Sequence, residues 1–270
     1  MQKEPSRQDS GKVRHLENKH KKRAMMMHTN NKFGFRLGSL ALGLLLALPV
    51  LAADQNPDFS GVYRSYRDPA AGAPAVPTAT LTPVAQAKVD EINFILEGTG
   101  ETGGGWCLGY GMPASMVSSG GYPMEIIQRQ EQITVIYEAH GEIRRVYIGD
   151  DNQIAEEDLF PDRNGYSKGW WEGDELVIET THLKEQVDGR LPHSEDAKVL
   201  ERYHQETGAQ NEDLLVASMT LTDPAFYTAP LVEVKKWVRD SAARMLPYEC
   251  AEPTWYERLE ALRELKNKAQ

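Results

Sequence analysis

The chain has 270 residues, with Lys and Arg together numbering 30 against 40 Asp and Glu, for a formal net charge of −10. Apolar side chains make up 40%, with five Trp, eleven Tyr and six Phe, enough for a packed core and too many for wholesale disorder. The acidic balance excludes nucleic acid as a partner, because neutralising phosphates needs surplus Lys and Arg.

The charge is unevenly spread. Residues 1–53 carry ten basic and three acidic side chains, and the run 37–51 has no charge before Ala52 and Ala53. A basic leader, a short apolar stretch and small residues predict a signal peptide ending near Ala53. On this reading residues 1–24 are an upstream extension, and Met25, Met26 or Met27 opens a signal of ordinary length. The apolar run is shorter than the ~20 residues a spanning helix needs. No stable membrane insertion after cleavage is therefore expected, an uncleaved anchor being the competing reading. Cleavage leaves 217 residues with 20 basic and 37 acidic side chains, a net charge of −17. The expected location is periplasmic or secreted. In such an oxidising compartment Cys107 and Cys250, 143 positions apart, are expected to form a disulfide. The alternative is a catalytic thiol at Cys107.

The expected elements follow in chain order. Residues 58–64 alternate apolar and polar as a first strand. Ala- and Pro-rich residues 68–77 read as a loop. Thr82-Pro83 starts a helix that runs to Leu96, with Val84, Ala87, Ile92 and Ile95 or Leu96 toward the core. Residues 98–121 hold nine Gly and read as a long functional loop. Its Gly109-Tyr110-Gly111 lacks the strand–helix context of a phosphate loop. From residue 122 the period becomes two, with strands at 123–129, 132–139, 142–149, 165–171, 175–181, 197–205, 213–222, 230–239 and 244–249. About ten strands predict a mainly β fold, a single antiparallel barrel with one N-terminal and one C-terminal helix. The expected organisation is a leader over 1–53, a barrel domain over 54–250 and an amphipathic helix over 251–270. Trp255, Leu259, Leu262 and Leu265 share one face of that helix, to pack on the barrel or to mediate self-association.

Gly61-Val62-Tyr63 is similar to the Gly-X-Trp of lipocalin-like barrels. Longer stretches run through the whole of 58–250: Leu81-Thr82-Pro83, Cys107 to Pro113, Pro123 to Gln128, Ile143 to Tyr147, Trp171 to Val177, Pro192 to Glu195 and Tyr248 to Cys250. On these the chain resembles a large, mostly uncharacterised family of secreted bacterial proteins of about 200 residues. The resemblance implies a secreted, calycin-like β-barrel and no particular activity. The family pattern favours His where this chain has Tyr166, so no role passes to an imidazole there.

Charged residues inside strand-like runs are the unusual chemical feature. Arg144 and Arg145 are consecutive and must face opposite ways. The preferred register puts Ile143, Arg145 and Tyr147 inward, with Glu125, Glu138 and Glu201 as carboxylates available to an inward Arg. With Tyr137, Trp171, Arg202 and Tyr203 these would line a polar cavity for a small organic ligand, the favoured function; solvent-facing cross-strand pairs are the competing reading. The alternative function is a cofactor-free isomerase, lyase or cyclase. There His193, Glu201 and Tyr147 move protons, His193 being oriented by Glu195 or Asp196. No Gly-X-Ser-X-Gly elbow and no His-X-X-X-His spacing is present, and beyond Met25, Met26 and Met27 of the leader the methionines are scattered, so neither a serine hydrolase, nor a metal site, nor any cofactor is expected.

Overall fold

A computed structural model describes residues 56–68, 79–103, 108–118, 120–248 and 252–269. Residues 1–55, most of the 68–77 loop, Cys107 and Cys250 lie outside the described residues, and with them the expected signal peptide and the expected disulfide.

Nine strands close into a barrel in which sequential strands are neighbours and β1 closes on β9. They are β1 (Gly61–Tyr66), β2 (Met124–Gln128), β3 (Gln132–Tyr137), β4 (Glu142–Ile148), β5 (Tyr166–Glu172), β6 (Glu175–Thr181), β7 (Lys198–Thr207), β8 (Asp213–Thr222) and β9 (Leu231–Arg239). The expected tenth strand is absent: residues 244–248 have no regular structure. The odd number has a consequence. A meander of nine strands that reversed at every turn would bring β1 and β9 together in parallel, yet they pair antiparallel through Ser65 opposite Trp237. One reversal is therefore missing, and it falls between β4 and β5, which run parallel with Val146 opposite Ser167 and Ile148 opposite Gly169. The barrel is thus not wholly antiparallel. A parallel pair needs a crossover rather than a hairpin, and residues 149–165 supply it with short 3-10 turns at Asp150–Asn152 and Glu156–Asp158.

Alternation along the strands sends one face into the barrel. Inward side chains of β3 are Ile133, Val135 and Tyr137, and of β7 they are Val199, Glu201 and Tyr203. On β4 the buried set is Glu142, Arg144 and Val146, whereas Ile143 and Arg145 are exposed. The expected register is therefore displaced by one residue, and a one-residue slip reverses every side chain on a strand.

Helix α1 (Pro83–Leu96) begins where the Thr82 hydroxyl accepts the Ala85 N–H, with Pro83 in the first turn. Its buried residues are Ala85, Ile92 and Ile95. Val84, 64% exposed, and Ala87 face solvent instead. Ala85 joins the barrel core, while Ile92 and Ile95 meet Leu108 and the last helix. That helix, α3 (Glu252–Ala269), buries Trp255, Leu259 and Leu262 in this second cluster, and leaves Leu265 60% exposed. Three of the four stripe residues thus pack inside the chain, against the α1 cluster. A short helix, α2 (Ala114–Ser118), follows the Gly-rich segment. Among the described residues no helix is long and apolar enough to cross a membrane.

Candidate functional site

The barrel interior holds a charged network. Arg144 is 1% exposed and Glu201 is fully buried. The guanidinium donates to both carboxylate oxygens of Glu201, through Nη1 at 3.1 Å and through Nη2. Its Nε donates to Ser167 Oγ at 3.0 Å, its Nη2 also reaches Thr180 Oγ1 at 2.7 Å, and the two hydroxyls lie 2.9 Å apart. The Tyr203 hydroxyl donates to Glu201 Oε1 at 2.8 Å. Burial by itself disfavours the charged guanidinium, but the charge and hydrogen bonds of Glu201 outweigh it and raise the Arg144 pKa. Burial, then the Glu201 carboxylate, pushes Tyr203 well above the ordinary phenol value. Tyr137 is likewise raised, by burial first. These groups are a satisfied ion pair in a packed core, with Met219, Leu176 and Ile178 around them. Four clefts among the described residues are lined by none of Tyr137, Arg144, Glu201 and Tyr203.

The other expected site residues scatter. Arg145 is on the outer face, opposite Thr134 of β3. Arg202, also outward, bridges Glu172 and Glu175 at 2.8 and 2.6 Å. Glu125 sits on the outward face of β2, half-buried. Glu138 lies beyond the end of β3 and accepts the Leu246 N–H at 2.6 Å. Trp171 is half-buried with its ring 5.3 Å from Phe59 at the edge of the core, while Trp170 faces out and donates to Glu172. The proposed acid–base trio does not assemble. Glu201 is committed to Arg144, Tyr147 packs against the Tyr166 ring at 5.4 Å, and His193 is buried in the loop after β6. His193 Nδ1 donates to the Leu191 carbonyl at 3.0 Å, and its Nε2 has no partner within hydrogen-bond distance. Burial lowers the His193 pKa, against the Leu191 and Lys184 backbone and the Asp223 charge. Neither Glu195 nor Asp196 orients it. The organising group is Asp223, which accepts the Ser194 N–H and hydroxyl at 2.7 and 2.9 Å and the Phe226 N–H at 3.2 Å.

One of these clefts lies outside the strands. It is a cleft of about 460 Å³ bounded by α1, the end of α2, the β3–β4 connection and residues 187–190. Val89, Ile92 and Val187 make its apolar side. Its aromatic wall has a local cause in the Ala139–Gly141 turn, where His140 and Gly141 take φ of 62° and 65° to reverse the chain. The turn carries the His140 ring between Tyr110, 4.7 Å away, and Tyr248, 5.0 Å away, and Tyr122 meets Tyr248 at 5.8 Å. Burial, then the Tyr122 and Tyr110 hydroxyls, raises the Tyr248 pKa. Ser118 Oγ, at the end of α2, is buried without a hydrogen-bond partner. Such a hydroxyl forgoes a hydrogen bond it would make in water, which favours a polar occupant. None of Tyr110, Tyr122, His140, Tyr248 and Ser118 is among the expected site residues, although Tyr110 and Ser118 fall in the 98–121 segment expected as a functional loop and Tyr248 in the expected strand 244–249, which does not form.

Together these features define the class: a closed nine-stranded β-barrel with two helices packed beside it and an aromatic cleft at that side. No protein-family model matches the chain, and no curated protein matches it.

Proposed function

We propose that this chain is an exported small-molecule-binding β-barrel protein of the secreted family it resembles, and that its ligand occupies the aromatic cleft rather than the barrel interior. The observation that carries the reading is the cleft itself, a concave site with one aromatic wall and a buried hydroxyl lacking a partner. The interior is a poorer host, because Arg144, the charge that could have met a ligand, is already neutralised by Glu201. The basic leader followed by an uncharged run supports export.

Native mass spectrometry of protein recovered from the exported fraction tests both parts. A polypeptide beginning near Asp54 that retains a small molecule, lost in Tyr248→Ala, is the expected result. Protein recovered with residues 1–53 intact would remove the export reading. A molecule equally retained by Tyr248→Ala would place binding elsewhere.

A further inference from the structure

A further cleft, of about 540 Å³, lies at the opposite end of β3 from the aromatic one, where the β2–β3 turn meets the chain leading into β1. Trp171 is the one aromatic residue lining it, and the rest of the lining is polar. The Trp171 ring packs against the core, 5.3 Å from the ring of Phe59, and the residue is half-buried. The polar wall is fixed from behind. Gln128 spans it, its Oε1 accepting the Phe59 N–H at 3.0 Å and its Nε2 donating to the Pro57 carbonyl at 2.8 Å. Asp58 Oδ1 accepts the Ser60 N–H at 2.8 Å, and that bond, ahead of any other cause, holds the Asp58 carboxyl below the ordinary carboxylate range. Asn56, Arg129 and Gln130 are exposed, and their side chains make no hydrogen bond or ion pair among the described residues.

We propose that this cleft binds a neutral saccharide, one face of a pyranose ring lying on Trp171 and its hydroxyl rim meeting Asn56, Asp58, Arg129 and Gln130. The site is separate from the aromatic cleft and does not rest on it. A pyranose turns C–H bonds toward an indole and keeps its hydroxyls at the edge, which suits one apolar surface ringed by polar groups. Those polar groups differ in what they can do. Ionised Asp58 only accepts, Arg129 only donates, and the amides of Asn56 and Gln130 do both. A hydroxyl donates and accepts, so it can pair with every one of them. The lining carries one carboxylate and one guanidinium, so a charged ligand loses to one what it gains from the other. A flat aromatic or a lipid chain needs apolar walls on more than one side, and here Trp171 alone supplies one. The fixed backing lowers the cost of ordering the site on binding.

Nuclear magnetic resonance of the full chain, read at the indole N–H signals of its five Trp, tests the inference. Trp171→Phe assigns the signal. Maltose, cellobiose and N,N′-diacetylchitobiose are the probes, and the open-chain polyol sorbitol is the control. At least one disaccharide is expected to shift the Trp171 indole saturably, whereas sorbitol is not. Followed at the backbone amides of 128–131, Trp171→Ala should weaken that binding at least about tenfold. Because Trp171 also packs on the core, Arg129→Ala and Gln130→Ala, at exposed side chains, provide a test that does not depend on its folding. Each should weaken binding about three- to tenfold. No saturable shift from any of the three disaccharides would overturn the saccharide site, as would an equal response to sorbitol. Full affinity in Trp171→Ala, or in both Arg129→Ala and Gln130→Ala, would overturn it too. All of these results leave the aromatic cleft standing as a ligand site. Shifts at the amides of 139–141 in place of Trp171 would instead put the sugar in the aromatic cleft and overturn the site at Trp171.

Discussion

Glu201 is the residue on which the interior of the barrel depends. Its carboxylate receives two guanidinium N–H groups from Arg144 and one phenol from Tyr203, with no solvent to replace them. Glu201→Gln would leave Arg144 charged and buried, and breaking such a pair costs about 3–5 kcal/mol. Replacing both partners by apolar side chains, Arg144→Met with Glu201→Leu, should recover most of that loss, because neither charge then needs a partner. Urea unfolding of the three variants measures the difference; a single variant no worse than a surface substitution would contradict the role given to the pair. His193 makes a second expectation at this scale. Its folded pKa lies below the 6.5 of the free imidazole, so under mildly acidic conditions the unfolded chain binds more protons than the folded one. Its contribution to stability is complete above pH ~6.5 and is lost as pH falls through the folded value. The urea midpoint should therefore fall between pH 7.5 and 5.5, and His193→Gln should flatten that slope.

At the scale of the element, the parallel seam between β4 and β5 is closely packed. A Cβ at Gly169 would stand 2.6 Å from Ile148 Cδ1 and 2.8 Å from Val146 Cγ1. Only the missing side chain lets these strands close, so Gly169→Ala should cost about 1–3 kcal/mol by overpacking, read as a lower urea midpoint. The two helices hold each other in the same way. Leu259→Ala on α3 removes a buried contact with the α1 cluster and should cost about 2–3 kcal/mol. Hydrogen exchange would locate the loss, speeding amides of α1 and α3 before those of β7 and β8. Strands were readable in the sequence where a single parity was apolar. Ile133 and Val135 mark the inner face of β3, and Val199 and Tyr203 that of β7. On β4 both parities carry an Arg and an apolar residue, so the sequence pattern could not choose; the pairing of Arg144 with Val135 chose. Likewise nothing local announces that β4 and β5 run parallel.

For the whole molecule, the acidic charge, the closed barrel and the cleft have to be taken together. Closure removes the open sheet edges that would otherwise pair with other chains, and the helix pair covers the apolar faces of α1 and α3. An occupied cleft ties several of these parts to one another. A ligand at a hundred times its Kd stabilises the fold by about 2.7 kcal/mol. A small molecule retained in the cleft should therefore raise the thermal midpoint of the full chain, and raise that of Tyr248→Ala less. By itself the sequence determined the β class, nine of the strands, the helix opened by Thr82 and Pro83, and the acidic balance. All of these follow from local periodicity, capping and composition. The tertiary structure decided which Arg is buried, where the one parallel pair falls, and that the cavity lies beside the barrel. Those depend on contacts between residues distant in sequence, such as Arg144 with Glu201 and Tyr110 with His140 and Tyr248, which no local pattern encodes.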